Sequence, residues 1–332
     1  MTTMIARRRL LGALAGAAFA WPLSAHAQGG SERRIGVLIP FPPSDMESQR
    51  RLRAMQQELE SLGWIEGRNV LFDVRWTTDN MELVRANAAS LVAVKSDVIV
   101  ATGGRVIPIL MQLTRTVPII IPGAADPVGT GYVASLARPG GNVTGFTLFE
   151  LSMIGKQLEI LKQIAPSTVR VVMVYNPDNP NTALYGRLFQ ESARQLGVEP
   201  IIAPIHSTRD VDRALDGMMR QPGGAAFFAS DLTLTQLRFD IIASVKRRGL
   251  PALYSDRTMV TDGGLVSYDT SRIELWRRAA SYVNRILRGE RPGDLPFEQP
   301  TKYELFINLR TAKEQAFEIP AAVLARADEV IE

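Results

Sequence analysis

The chain has 332 residues, no cysteine and two histidines. The first absence removes disulfides, thiol nucleophiles and cysteine metal sites together. The second leaves little for imidazole chemistry. His26 lies within the first thirty residues, so His206 is the remaining candidate base, and it sits on a polar approach to a helix. A zinc site has too few ligands to draw on, and neither a metal nor a cofactor is expected. Motifs are missing as well. No G-x-x-x-x-G-K-[ST] is present to cradle a phosphate, and no G-x-S-x-G presents a serine nucleophile. A dinucleotide fingerprint would follow the first strand directly. Ile39-Pro40-Phe41-Pro42-Pro43 stands there instead, with prolines where a glycine turn is required. Gly103-Gly104 and Gly129-Thr130-Gly131 are isolated. A doubly wound enzyme remains only as an alternative.

A real excess of one charge is also lacking. The formal net charge of +4 and the pI near 9.5 suggest an acidic partner at first sight. However, three of the 38 basic side chains and none of the 34 acidic ones fall in residues 1–27. The rest of the chain is close to neutral, so nucleic acid and anionic membrane surfaces are not expected partners.

Those 27 residues carry their own signal. Arg7-Arg8-Arg9 opens a positive segment, an apolar run follows from Leu10 to about Trp21, and Ala25-His26-Ala27 precedes Gln28. Charged start, short apolar core and an A-x-A site mark a secretory signal peptide, cleaved after Ala27. The run is shorter than the ~20 residues of a membrane span, and Pro22 interrupts it. The order Arg7-Arg8-Arg9-Leu10-Leu11 points to the twin-arginine route. The expected location is the periplasm, with no membrane insertion after cleavage.

From residue 34 onward, short apolar runs alternate with amphipathic helices. Strands are expected at 34–40, 69–76, 97–101 and 117–121, and helices at 45–62, 81–94 and 106–114. The pattern then restarts: helix 152–164, strand 169–175, helix 181–196, strand 198–203, helix 208–220, strand 225–229, helix 234–248 and strand 251–254. Gly63, Gly197 and Gly249 stand where left-handed caps would end helices. Strands that are apolar throughout, separated by helices, indicate parallel sheets covered on both faces. The expected fold is α/β, with two doubly wound parallel-sheet lobes joined by a hinge. One lobe takes 34–146 plus 255–293, the other 147–254 plus 294–332. Strand 265–268 and helix 272–287 fall in the segment given to the first lobe.

Several segments resemble one family. They include Gly63-Trp64-Ile65-Glu66-Gly67-Arg68-Asn69, Asp126-Pro127-Val128-Gly129, and the run from Ser135-Leu136-Ala137-Arg138-Pro139-Gly140 to Gly145. Tyr175-Asn176-Pro177, Gly263-Gly264-Leu265-Val266-Ser267-Tyr268 and the tail Glu298-Gln299-Pro300-Thr301-Lys302-Tyr303 add to them. Together these resemble the ABC transporter substrate-binding proteins whose characterised members bind tryptophan or tyrosine. The resemblance implies a periplasmic-binding-protein type I fold, a ligand cleft between lobes and no catalysis. It also implies a permease in the inner membrane as partner of a monomeric binding protein. Where members more often carry a small residue, this chain has Arg105. Facing a cleft, that side chain would favour an anionic group on the ligand.

In open α/β sheets ligands bind beyond the carboxyl ends of the strands. The residues expected there are Phe41, Ser44, Thr102, Gly103, Asp126, Tyr175, Asn176, Ser230, Asp231, Tyr254, Tyr268 and Asp269. Ser44 and Thr102-Gly103 could frame a carboxylate with free backbone N–H groups. Asp126 or Asp231 could accept from an ammonium group, and Phe41, Tyr175, Tyr254 and Tyr268 could stack on an apolar side chain. The ligand expected is small and amphipathic, an aromatic amino acid or a related compound. A second reading is a periplasmic sensor of the same fold that feeds a signalling receptor.

Overall fold

The computed structural model describes residues 32–78, 80–148 and 152–332, so the expected leader and its cleavage site lie outside the described residues. The apolar runs form the first sheet. β1 (Arg33–Ile39), β2 (Val70–Trp76), β3 (Val98–Ala101), β4 (Ile119–Ala124) and β5 (Val143–Thr147) pair in the order β2-β1-β3-β4-β5, all parallel. They are linked by α1 (Met46–Ser61), α2 (Met81–Ala93) and α3 (Ile107–Leu113). Alternate side chains of a strand point to opposite faces, and both faces of this sheet are covered. Val37, Ile39, Val98 and Val100 join one core with α1, while Leu38, Ile99 and Ala101 join another with α2 and α3. β2, at the edge, fully buries only Val70 and carries the Asp73–Arg75 pair at 2.6 Å.

Local signals set the helix ends. Asp45 accepts the Ser48 N–H at 2.9 Å and starts α1. Gly63, Gly197 and Gly249 all have positive φ, at 91°, 67° and 58°.

The second sheet is longer. α4 (Met153–Ile164), β6 (Arg170–Tyr175), α5 (Thr182–Gln195), β7 (Glu199–Pro204), α6 (Thr208–Met219) and β8 (Gly224–Phe228) open it. α7 (Leu232–Gln236), α8 (Arg238–Arg248), β9 (Ala252–Tyr254), α9 (Arg257–Thr261) and β10 (Val266–Asp269) follow. After α10 (Arg272–Leu287) come β11 (Glu304–Asn308), α11 (Leu309–Glu314), α12 (Ala321–Leu324) and β12 (Glu329–Ile331). The strand order is β12-β11-β10-β9-β8-β6-β7, and only the β10–β11 pairing is antiparallel. The expected class, two parallel α/β sheets with helices, is the one observed.

Three readings are corrected. Residues 255–269 do not return to the first lobe. β10 pairs with β9 and β11, and Leu265 and Val266 fill the second core beside Leu253. What goes back is α10, whose stripe of Leu275, Trp276, Ala279, Tyr282, Val283 and Ile286 packs against α1 and β4, together with the residues after it as far as Glu298. Leu295 and Phe297 fill the cores of the first sheet and not, as expected for 294–332, those of the second. The crossing expected at 254–255 therefore falls between Asp269 and Arg272. Residues 234–248 form two helices rather than one. Asp231 caps a turn that begins earlier, its Oδ1 accepting Thr233 N–H at 2.8 Å, and Leu237 (φ −84°, ψ 7°) ends that turn. β5 and β11 were not expected as strands at all.

Three segments connect the sheets: one after Leu148, one at 269–272 and one at 298–303. The end of β5 runs beside the start of the last. Thr147 N–H donates to Glu298 O at 2.9 Å, and Glu298 N–H donates to Gly145 O at 3.1 Å. Gly145 has φ 151°, and a Cβ there would stand 2.1 Å from Ile121 O, so only glycine lets β5 lie this close to β4.

Candidate ligand-binding cleft

A cavity of about 110 Å³ lies where the carboxyl ends of β1, β3 and β4 face those of β6, β8 and β9. Phe41 enters from the end of β1. Thr102, Gly103 and Gly104 follow β3, and Tyr132 closes over them, donating to Gly104 O at 3.0 Å. α10 supplies Trp276 and Arg272, and α1 supplies Arg51. The opposite wall carries Asn179, Asn181, Ser230, Asp231 and Asp256. The walls approach closely at Gly104, where a Cβ would lie 3.2 Å from Asn179 Oδ1.

Five of the expected residues line this cavity: Phe41, Thr102, Gly103, Ser230 and Asp231. Ser44 is exposed and faces a separate outer groove beside Arg238 and Phe239. Asp126 is turned into its own loop, where Oδ1 accepts Gly129 N–H at 2.8 Å. Tyr254 is a core residue, 1% exposed and stacked on Phe228 at 5.0 Å, because β9 is an inner strand whose side chains meet helices on either face. Tyr175 packs against the core of α4 and α5, and Tyr268 packs there too, against Tyr303 at 5.9 Å. Asn176 and Asp269 stand behind the wall. Asn176 Nδ2 donates to Thr233 Oγ1 at 3.0 Å, and Asp269 receives Arg272.

The sequence reading missed the charged centre of the site. Arg272 Nη2 donates to Ser230 Oγ at 3.0 Å and meets Asp269 Oδ2 at 3.3 Å, while its Nε lies 3.4 Å from Asp256 Oδ2. Arg51 Nη2 donates to Thr258 Oγ1 at 3.3 Å. Arg51 had a legible signal, since it shares the buried stripe of Ser48, Leu52, Met55 and Leu59 on α1. An arginine on an apolar stripe requires an explanation. Arg272 and Asp256 had none, because each merely begins or caps a helix.

Burial disfavours every charge in this cluster, and the partners decide the outcome. Burial opposes ionisation of Asp256, yet Arg272 and Arg51 outweigh it and hold the carboxyl below its ordinary range. Asp269 goes the other way. Burial, with Asp256 adding to it, outweighs Arg272 and pushes the acid up to about 6. Arg272 is held more firmly protonated, because Asp256 and Asp269 overcome its burial. Arg51 is lowered by burial, with Arg272 repelling it and Asp256 opposing the shift. Asp231 is raised by burial against the donors Asn179, Leu234 N–H and Thr233 N–H. Its Oδ2 accepts Asn179 Nδ2 at 2.8 Å.

The walls are also bonded to each other at the rim. Gln236 Nε2 donates to Pro40 O at 2.8 Å, and Arg238 Nη2 meets Asp45 Oδ1 at 3.2 Å. His206 is exposed and away from the cavity, facing the outer groove. The arrangement suits reversible binding of a small molecule between two surfaces.

Comparisons with known proteins give the family and the fold. The model of the family described as "ABC transporter substrate binding protein" matches residues 44–331. A tyrosine-binding protein of Clostridioides difficile (strain R20291) is 25% identical over 285 residues, spanning 85% of this chain and 80% of that protein. The crystal structure of a conserved domain protein from Vibrio cholerae is 26% identical, with a TM-score of 0.82, over 90% of this chain and 99% of that one. A Streptococcus pneumonia ABC domain in complex with L-Trp shares the fold, with 24% identity and a TM-score of 0.84 over 91% and 100% of the two chains. The fold is of the periplasmic-binding-protein type I kind. With the family model covering well over half of the chain, this protein belongs to the ABC transporter substrate-binding protein family.

Proposed function

We propose that the protein is the extracytoplasmic solute-binding component of an ABC importer and not an enzyme. It captures one small amphipathic ligand, an aromatic amino acid or a related compound, and delivers it as a monomer to an inner-membrane permease. The observation that carries this reading is a cavity built jointly by two sheets and bridged across its rim. The cavity is smaller than the ~150 Å³ that accepts benzene, so a ligand of that size or larger requires the walls to part. Hinge motion about the three connecting segments supplies the opening, and closure desolvates the ligand. Phe41, Thr102, Gly103, Ser230 and Asp231 contact it in this reading, together with Arg51, Asn181, Arg272 and Trp276. Tyrosine and tryptophan, the compounds in the names of two relatives, come first in a screen.

Export through the signal peptide, with cleavage after Ala27, places the protein in the periplasm. Mass spectrometry of protein recovered there should give an N-terminus at Gln28. The hinge is tested by solution X-ray scattering with and without the compound that co-purifies with native protein. Ligand should reduce the radius of gyration. Arg238→Ala, which removes the rim pair with Asp45, should weaken binding about tenfold or more. A protein that holds no small molecule and shows no ligand-dependent compaction is not a solute-binding protein.

A further inference from the structure

Among the described residues, five charged side chains line the cavity: Arg51, Arg105, Asp231, Asp256 and Arg272. Four are already bonded to the protein. Arg51 donates to Thr258, and Arg272 donates to Ser230 and Asp269. Asp231 accepts from Thr233 N–H, Leu234 N–H and Asn179, while Asp256 accepts from Thr258 N–H and Thr235 Oγ1. A carboxylate offers about four acceptor positions, so Asp231 has used most of its own. Arg105 differs from all of these. It is partly buried on the cavity wall and, among the described residues, makes no hydrogen bond or ion pair. A guanidinium holds five donors in a planar fork that matches a carboxylate.

We infer that Arg105 makes the cleft a site for organic anions: a small carboxylate with a flat apolar body, for which an ammonium group is not required. The unmet group in the cavity is a cation, so the matching group on the ligand is an anion. Phe41, Tyr132 and Trp276 supply the apolar surface against which a flat body rests. Asn181, 6% exposed, adds one further demand. Its Oδ1 is buried on the opposite wall without a hydrogen-bond donor among the described residues, so a ligand hydroxyl or N–H fits there. This inference rests on the solute-binding reading above and narrows its substrate class.

The test compares three compounds with one ring and different charges, by calorimetry on the mature protein: phenylpropionate, phenylalanine and phenethylamine. Phenylpropionate should bind at least as tightly as phenylalanine, and phenethylamine should not bind. Arg105→Gln should lose about tenfold to a hundredfold for phenylpropionate. Its unliganded melting temperature should stay unchanged, since Arg105 bonds to none of the described residues, and Arg105→Lys should recover part of the loss. Equal binding of the amine and the acid, or unchanged affinity in Arg105→Gln, overturns the inference. If none of the three binds, the co-purifying compound decides. An acidic compound whose retention falls in Arg105→Gln supports the assignment, and a compound with no acidic group overturns it while leaving the solute-binding function standing. Absence of any retained or bound small molecule overturns both.

Discussion

The two walls of the cleft carry opposite charge. The three guanidiniums, Arg51, Arg105 and Arg272, stand on the side of the first sheet, on α1, after β3 and at the start of α10. The two carboxylates, Asp231 and Asp256, stand on the side of the second, beyond β8 and β9. The aromatic surface of Phe41, Tyr132 and Trp276 belongs to the first wall, and the amides of Asn179 and Asn181 belong to the second. In the hinge motion proposed above, closure therefore does more than shut out water. It brings cations on one wall against carboxylates on the other, and it leaves Arg105 over.

Asp256 is where the two walls depend on each other most. It is 3% exposed and sits against Arg272, with Arg51 close enough to lower its pKa. Removing one partner of a buried pair leaves an uncompensated charge, which costs about 3–5 kcal/mol. Asp256→Ala should lose that much in urea unfolding, with the lost cap of α9 included. A loss under about 1 kcal/mol would mean that the walls do not need each other electrostatically.

Asp269 sharpens the same contrast through pH. Its folded-state pKa is raised from 3.8 to about 6. The folded protein keeps this proton to higher pH than the unfolded chain does, so the group favours folding below about pH 4. That contribution fades as the pH rises through 6. The shift corresponds to a difference on the order of 3 kcal/mol. Asp269→Asn, which mimics the protonated acid, should match the wild type near pH 4 and be the more stable protein above pH 6. Wild type and variant with parallel stability curves between pH 4 and 7 would show that Arg272 holds Asp269 ionised throughout.

The smallest effect is expected outside both walls. Asp126 holds only its own turn, so Asp126→Ala should cost about 1 kcal/mol and leave the ligand-induced rise in melting temperature intact. If that rise vanishes, Asp126 belongs to the site after all.

The ends of strands were legible in the sequence, but the side chains that enter the cavity from them were only partly so. Phe41, Thr102 and Gly103 follow inner strands of the first sheet, and Ser230 and Asp231 follow β8. Tyr254 ends an inner strand just as visibly, yet its ring is covered by Phe228 and the helices outside it. Strand-end position gives the neighbourhood of a site. Which way the side chain turns depends on what packs beside it.

What the sequence determined by itself was local: apolar runs that become buried parallel strands, Asp45 opening α1, and glycines with left-handed φ closing helices. These follow from side-chain periodicity and backbone sterics within a few residues. The tertiary structure alone decided that β10 stays in the second sheet while α10 crosses back. It alone set Arg51 against Thr258, 207 residues away, and Gln236 against Pro40, 196 away. Such contacts exist only once two sheets have formed and the connecting segments have fixed their relative position. No periodicity in the chain encodes them, because a polar side chain on a helix or at a strand end has no local preference for a partner in another lobe.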